Sequence, residues 1–240
     1  MSRRRRAWIG SSIVFIAMLG GAGPVQAGSL DYPDFSSTDG LHFNGDAGTA
    51  DDVIRVTNDA VQVDSVFTTG RPVRPDRSFT THFVISQHDS PTFPGDGMAF
   101  VIQPGPDDAL GEGGGGMGYA GIDHSLVVEF DIFFNFEYEG NGNHVAIMKN
   151  GDNTMHLASG TPDFDLYGSV VNVWARYSAG KKRLRVYVDD DTSRPKKPLV
   201  AARQNLNKIL DGGKGRAGFT GGTGDASALQ DVQSWKLNSG

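Results

Sequence analysis

"VVEFDIFFNFEYEGNGNH", residues Val127–His144, begins as a β-strand and ends as something else. Val127, Val128, Phe130 and Ile132 are residues that a pleated, packed surface favours. Residues two apart on a strand share a face, with about 6.6 Å of rise between them. Carried through the stretch, that alternation sets Glu129, Asp131, Phe133 and Asn135 on one side. After Asn135 the chain breaks into Gly and Asn and arrives at His144. Two unpaired carboxylates in a buried strand would be costly or would lose their charge. Cations, a shared catalytic proton or solvent could each relieve them.

The flanking segments repeat the strand pattern. "SFTTHFVIS" (78–86), "GMAFVIQ" (97–103), "SLVVEFDIFF" (125–134), "HVAIM" (144–148), "VNVWARYS" (171–178) and "RLRVYVDD" (183–190) alternate or run apolar. "SAGKK" (178–182) reads as a hairpin turn, and only "NLNKIL" (205–210) offers a helical turn. Many strands joined by turns predict an all-β fold, an antiparallel β-sandwich or barrel. Residues 31–37 and 232–237 are expected as terminal strands lying side by side. Two glycine-rich stretches, Gly111–Ile122 and Gly218–Gln230, read as loops that let backbone approach a ligand. The first is followed by a strand and lacks a Lys-Ser/Thr pair, which excludes a phosphate-binding loop.

Residues 1–27 have the form of a secretory signal peptide: Arg3–Arg6, an apolar run from Ala7 to Leu19, and Val25-Gln26-Ala27 as a small-x-small cleavage site. A secreted chain is expected, periplasmic if the cell is Gram-negative, with residues 28–240 as one domain. No membrane insertion is expected after cleavage, since no second hydrophobic segment follows. The formal charge is −6, and the leader carries basic residues only, so the remaining chain is more acidic still. No basic stripe stands out, which argues against nucleic acid and anionic membranes as partners. There is no cysteine among 240 residues, and a large sandwich can be stable without one.

Two chemistries compete for the opening stretch. Same-strand glycosidases carry E-x-D-x-x-E, with nucleophile and acid on one face. Here Phe134 occupies the last position and Glu137 lies beyond the expected strand, so a glycoside hydrolase is the weaker reading. A metal site uses every residue. The carboxylates of Glu129, Asp131 and Glu139, the carbonyl of Phe133 and the amide of Asn135 form a hard oxygen set suited to Ca²⁺. His144 with Glu129 and Asp131 suits Mn²⁺ or another transition metal. A solvent-facing edge strand running into a Gly/Asn loop fits the same spacing.

The ordered combination "GDGMAFVIQP", "GGGGMGYAGI", "SLVVEFDIFFN", "NHVAI", "VNVWARYSAGKKRLRVYV", "RAGFTGGTG" and "DVQSWKL" resembles the legume-type (L-type) lectins. It is most similar to their bacterial branch with a glycine-rich insertion. The resemblance implies a concanavalin-like jelly-roll sandwich and a non-catalytic, Ca²⁺-dependent carbohydrate-binding protein. Glycans or glycoconjugates are the implied partners, with a homodimer left open. It implies that Glu129 and His144 hold a transition metal and that Asp131 is shared by both ions. Phe133 would give its backbone oxygen to calcium and its ring to the sugar, and Asn135 would serve calcium and a sugar hydroxyl. Glu139 stands where the family usually has a second shared Asp. Asp96 matches the sugar-binding aspartate that follows a cis peptide, Gly118 the glycine whose N–H meets the sugar, and Asp225 and Ala226 the specificity loop. The alternative is a structural or adhesive sandwich that has lost sugar binding. Trp174 and Trp235 read as core. His42, His82, His88, His124 and His156 show no partners at ligand spacing and read as surface or packed histidines.

Overall fold

The computed structural model of the protein describes residues 29–70, 72–136 and 140–240. The expected leader over 1–27 lies outside the described residues. The strands are β1 (Ser29–Tyr32), β2 (Leu41–Asn44), β3 (Gly48–Ala50), β4 (Val53–Thr57), β5 (Val63–Thr68), β6 (Phe79–His88), β7 (Gly97–Gln103) and β8 (Leu126–Asp131). They continue with β9 (His144–Lys149), β10 (Ala158–Gly160), β11 (Val170–Ser178), β12 (Arg183–Asp189), β13 (Val200–Arg203), β14 (Arg216–Gly222) and β15 (Leu229–Ser239). A single helical turn, α1 (Leu206–Ile209), falls where "NLNKIL" predicts it. Among the described residues no helix is long and apolar enough to cross a membrane.

The strands form two antiparallel sheets. One has seven strands in the order β10-β9-β8-β7-β14-β5-β2. The other has eight, in the order β13-β12-β11-β6-β15-β4-β3, with β1 pairing β15. The expected side-by-side terminal strands correspond to β1 and β15, but β1 ends at Tyr32 and residues 33–37 are bend and irregular chain rather than strand. Between the sheets Phe83, Phe100, Phe219 and Trp235 meet largely edge to face, with Phe219 and Trp235 centroids 5.0 Å apart. That is the arrangement aromatic quadrupoles prefer. The Trp235 indole N–H finds the Thr81 hydroxyl at 3.0 Å, so it is buried with its polar atom satisfied.

A second apolar layer covers the far side of the seven-stranded sheet. Val101, Val127, Ala146 and Met148 pack there against Met117 and Tyr119 of the glycine-rich segment 111–122. β8 is therefore enclosed on both faces, and all six of its residues are buried. This explains its nearly continuous apolar run.

Three expectations need correction. β8 stops at Asp131 rather than running to Phe134. The Asp131 carboxylate accepts the Phe133 N–H at 2.8 Å, and the Ile132 N–H goes to the Asp96 carbonyl, so the ladder loses its donors. Gly218–Gly222, read as loop, belongs to β14 in the middle of its sheet. A Cβ on Gly222 would lie 2.9 Å from the Gly114 carbonyl and 3.0 Å from the Met117 Cα. The glycines are thus there to let the segment above lie down on the sheet. Trp174 is not core. Val171, Val173, Ala175 and Tyr177 point inward, and Trp174 is half-buried on the outer face, stacked on His82.

Candidate functional site

The end of β8 and the start of β9 face each other in register, Asp131 opposite His144 and Glu129 opposite Ala146. On the face covered by the glycine-rich segment, Glu129, Asp131 and His144 all lie within 2% of full burial. Tyr119 reaches down from that segment and donates its hydroxyl to Glu129 Oε2. The other oxygen, Oε1, faces two imidazoles: His144 Nε2 at 3.5 Å and His156 Nε2 at 3.3 Å. The ligand atoms of Glu129, His144 and His156 all lie within 4.8 Å of one another.

His156 is the residue that the sequence reading missed. It sits past β9, where a turn at residues 150–153 sends the chain back, and its ring centroid lies 5.0 Å from that of His144. Spacing offered no signal, because a loop rather than a strand or helix carries it.

The donor set suits a transition metal. Glu129 Oε1, His144 Nε2 and His156 Nε2 are buried without hydrogen-bond geometry of their own. One carboxylate and two imidazoles converging in this way fit Zn²⁺, Co²⁺, Ni²⁺ or Mn²⁺. His144 Nδ1 faces the Asn141 carbonyl at 2.9 Å, which fixes that nitrogen as the donor and leaves Nε2 as the ligand atom. Burial works to raise the Glu129 carboxyl, but His144, His156 and Tyr119 outweigh it and hold it below the usual carboxylate range. Burial also opposes charge on His144; Glu129 and then Asp131 overcome this and push it up to about 8.

A proton on His144 and a metal therefore compete for the same lone pair. Affinity for a transition metal is expected to fall about tenfold per pH unit below about 8 and to level off above it. Titration across that range with a metal-indicator dye measures this, and a flat profile would remove His144 from the ligand set. The metal-free protein behaves in the opposite sense. Its raised His144 contributes stability below the unfolded value near 6.5, and that stability is lost as pH rises through about 8.

Beside this cluster lies a second gathering of the expected residues. The Gly95–Asp96 peptide is cis. The Asp96 N–H donates to the Gly222 carbonyl at 3.1 Å, and its own carbonyl accepts the Ile132 N–H at 3.1 Å. Asp96 is thereby tied to the ends of both β14 and β8, and it is 6% exposed. A Cβ on Gly95 would meet the Ala226 Cβ at 2.6 Å and the Phe133 ring at 3.2 Å, so glycine lets these close together. The Asn135 amide lies against Gly115. Asp225 is exposed at the tip of the loop whose Ser227 N–H bonds the Phe93 carbonyl. Phe93 and Phe136 stand 72% and 83% exposed on the neighbouring segments.

Gly118 is placed differently from its expected role. It is buried with φ +70°, and its N–H bonds the Glu112 carbonyl at 2.8 Å. A Cβ there would strike the Gly221 carbonyl oxygen at 2.8 Å. Within this segment the glycines that approach Asp96 and Asn135 are Gly114 and Gly115, in the short 3₁₀ turn Gly114–Gly116, and Gly224 comes to the Asp96 carboxylate from the loop after β14. Glu139 lies outside the described residues.

An antiparallel sandwich of seven on eight strands, with this cluster at one end of the seven-stranded sheet, is a β-sandwich of the lectin type. The chain belongs to the legume lectin domain family, whose sequence pattern matches residues 27–240. It is 33% identical over 170 residues to L-type lectin-domain containing receptor kinase VIII.2 of Arabidopsis thaliana, covering 68% of this chain and 24% of that one. It is 30% identical to bark agglutinin I polypeptide A of Robinia pseudoacacia, covering 95% of this chain and 86% of the relative. The solved lectin from Bauhinia forficata, in complex with GalNAc, superposes with a TM-score of 0.73 at 23% identity, covering 87% of this chain and 96% of that one. The chain spans about a quarter of the length of the receptor kinases it matches.

Proposed function

We propose that this chain is a secreted, non-catalytic lectin that depends on Ca²⁺ and holds a glycan at Asp96, Phe133 and Asn135. The observation that carries the reading is that Phe133 packs on Gly95 beside Asp96, with Asn135 against Gly115, next to the Glu129–His144–His156 cluster. Asp96 and Asn135 would supply charge-assisted and neutral hydrogen bonds to sugar hydroxyls. The Phe133 ring would cover the sugar's C–H face, and Gly114 and Gly115 leave room for a ligand to approach backbone. A transition metal would be held by Glu129, Asp131, His144 and His156. Calcium would take oxygens from Asp131, Phe133, Asn135 and Glu139. When bound, the ions supply fixed positive charge that orders the loop carrying Phe133 and Asn135.

Non-catalysis is supported by the state of Glu129. A general acid needs a raised carboxyl, and Glu129 is held below the usual range. Phe134 also stands where a same-strand glycosidase carries its acid. The Arg3–Arg6 leader supports export, and the Gly113–Gly116 insertion supports a bacterial source.

The test is a glycan panel, GalNAc included, titrated with and without chelator. Binding to at least one glycan that disappears with chelator and returns with Ca²⁺ is expected. Chelator-insensitive binding overturns the calcium requirement. A folded protein that binds no glycan favours the adhesive sandwich.

A further inference from the structure

The outer face of the eight-stranded sheet carries a basic cluster along β11, β12 and β13, while Asp31 and Asp231 on the same sheet are already paired with Lys236 and Arg55. Inward-pointing Val173, Ala175 and Tyr177 on β11, and Leu184 and Val186 on β12, leave the alternate residues facing out. Register then sets Arg183 directly opposite Arg203, and Arg185 directly opposite Arg176. Like charges in such pairs repel. Among the described residues none of the four arginines lies within ion-pair distance of a carboxylate. Three depressions of about 700, 460 and 230 Å³ adjoin on this face, the first two sharing Arg185 and the last two sharing Arg176, Thr80 and Asn238. Lys181 and Lys182 extend the first depression, and no Asp or Glu lines any of the three. On a chain with 28 acidic and 22 basic residues, the charged side chains that line these depressions are all basic.

We propose that this face binds an anionic polysaccharide through carboxylate or sulfate groups on its sugars. Four guanidinium forks in two facing pairs match planar or tetrahedral oxyanions, and a bound anion would cancel the repulsion built into the sheet. The aromatic residues argue against nucleic acid. Trp174 is stacked on His82 at 4.9 Å, and Arg194 covers the Tyr187 ring at 4.4 Å, so these ring faces are already occupied and offer bases little platform. A membrane surface fits less well, because none of the large exposed apolar side chains lines these depressions. Lys236 is already paired with Asp31 and adds little. The inference rests on this face alone, and it holds or falls separately from the sugar site at Asp96.

The test uses the full chain, with heparin as the sulfated probe, polygalacturonate as the uronate probe, neutral dextran, a DNA duplex, and vesicles of anionic phospholipid. Affinities are measured by calorimetry at about 50 and about 200 mM salt, with chelator present. At least one acidic polysaccharide is expected to bind, more weakly at the higher salt, while dextran does not. Which of the two binds identifies the anionic group. The double variant Arg176→Gln/Arg185→Gln should weaken binding at least about tenfold, since two charge-assisted contacts are lost. Lys149→Gln, on β9 of the other sheet, should not. The double variant should melt no lower than the parent, because it removes a directly opposed like-charge pair. Failure of both acidic polysaccharides to bind, binding unchanged in the double variant, or tighter binding to the duplex or the vesicles would each overturn the proposal.

Discussion

Replacing Asp96 with alanine is expected to weaken glycan binding by about 100-fold or more, with the thermal midpoint little changed. Charge-assisted hydrogen bonds are worth about 1.5–3 kcal/mol each, and a carboxylate that holds two sugar hydroxyls loses both on truncation. The carboxylate is nearly buried and its backbone is fixed from two strands, so its position is set before any ligand arrives. The backbone bonds to Gly222 and Ile132 survive the substitution, which is why the fold should hold. Asp225→Ala is the matched control: an exposed loop-tip carboxylate should cost no more than a few-fold. Calorimetry with the tightest glycan of the panel reads both. Wild-type affinity in Asp96→Ala would move the sugar site elsewhere.

Glu129→Gln carries the second large effect. This side chain is the hub of the buried cluster, taking the Tyr119 hydroxyl on one oxygen and facing His144 and His156 with the other. Glutamine keeps the volume and removes the charge. Breaking one partner out of a buried ionic network costs about 3–5 kcal/mol, because the remaining groups stay buried without compensation. Denaturant unfolding should show a loss of this order, and metal analysis should show the transition metal gone. Chelator should destabilise the parent strongly and the variant hardly at all. A variant that keeps its full metal content would show that Glu129 is not a ligand.

Much of this was legible in the chain before any coordinates. The long strands β6, β7, β9, β11 and β12 fall within a residue or two of where alternation puts them, because packed sheet faces impose a period of two. Glu129 and Asp131 share a face for the same reason. The alternation on β11 also contained the correct placement of Trp174, since its neighbours at 173 and 175 are the inward ones. Other features were hidden. The early end of β8 depends on where two N–H groups go, one to the Asp131 carboxylate and one to a carbonyl 36 positions earlier in the chain, at Asp96. β14 looked like a loop because glycine content usually signals one; here it records a close approach from above. Within the run Gly113–Gly118, only the 3₁₀ turn decides which glycines reach Asp96 and Asn135.

By itself the sequence determined a two-sheet sandwich, the common face of Glu129 and Asp131, and the spacing that carries His144 back to them. These follow from local periodicity and from an ordered set of motifs. The tertiary structure alone decided that β8 is covered on both faces, that Tyr119 and His156 complete the surroundings of Glu129, and that four arginines meet in facing pairs on the opposite sheet. Each joins residues from separate strands or loops, and such meetings are fixed by register and by the packing of one segment over another, which no local pattern encodes.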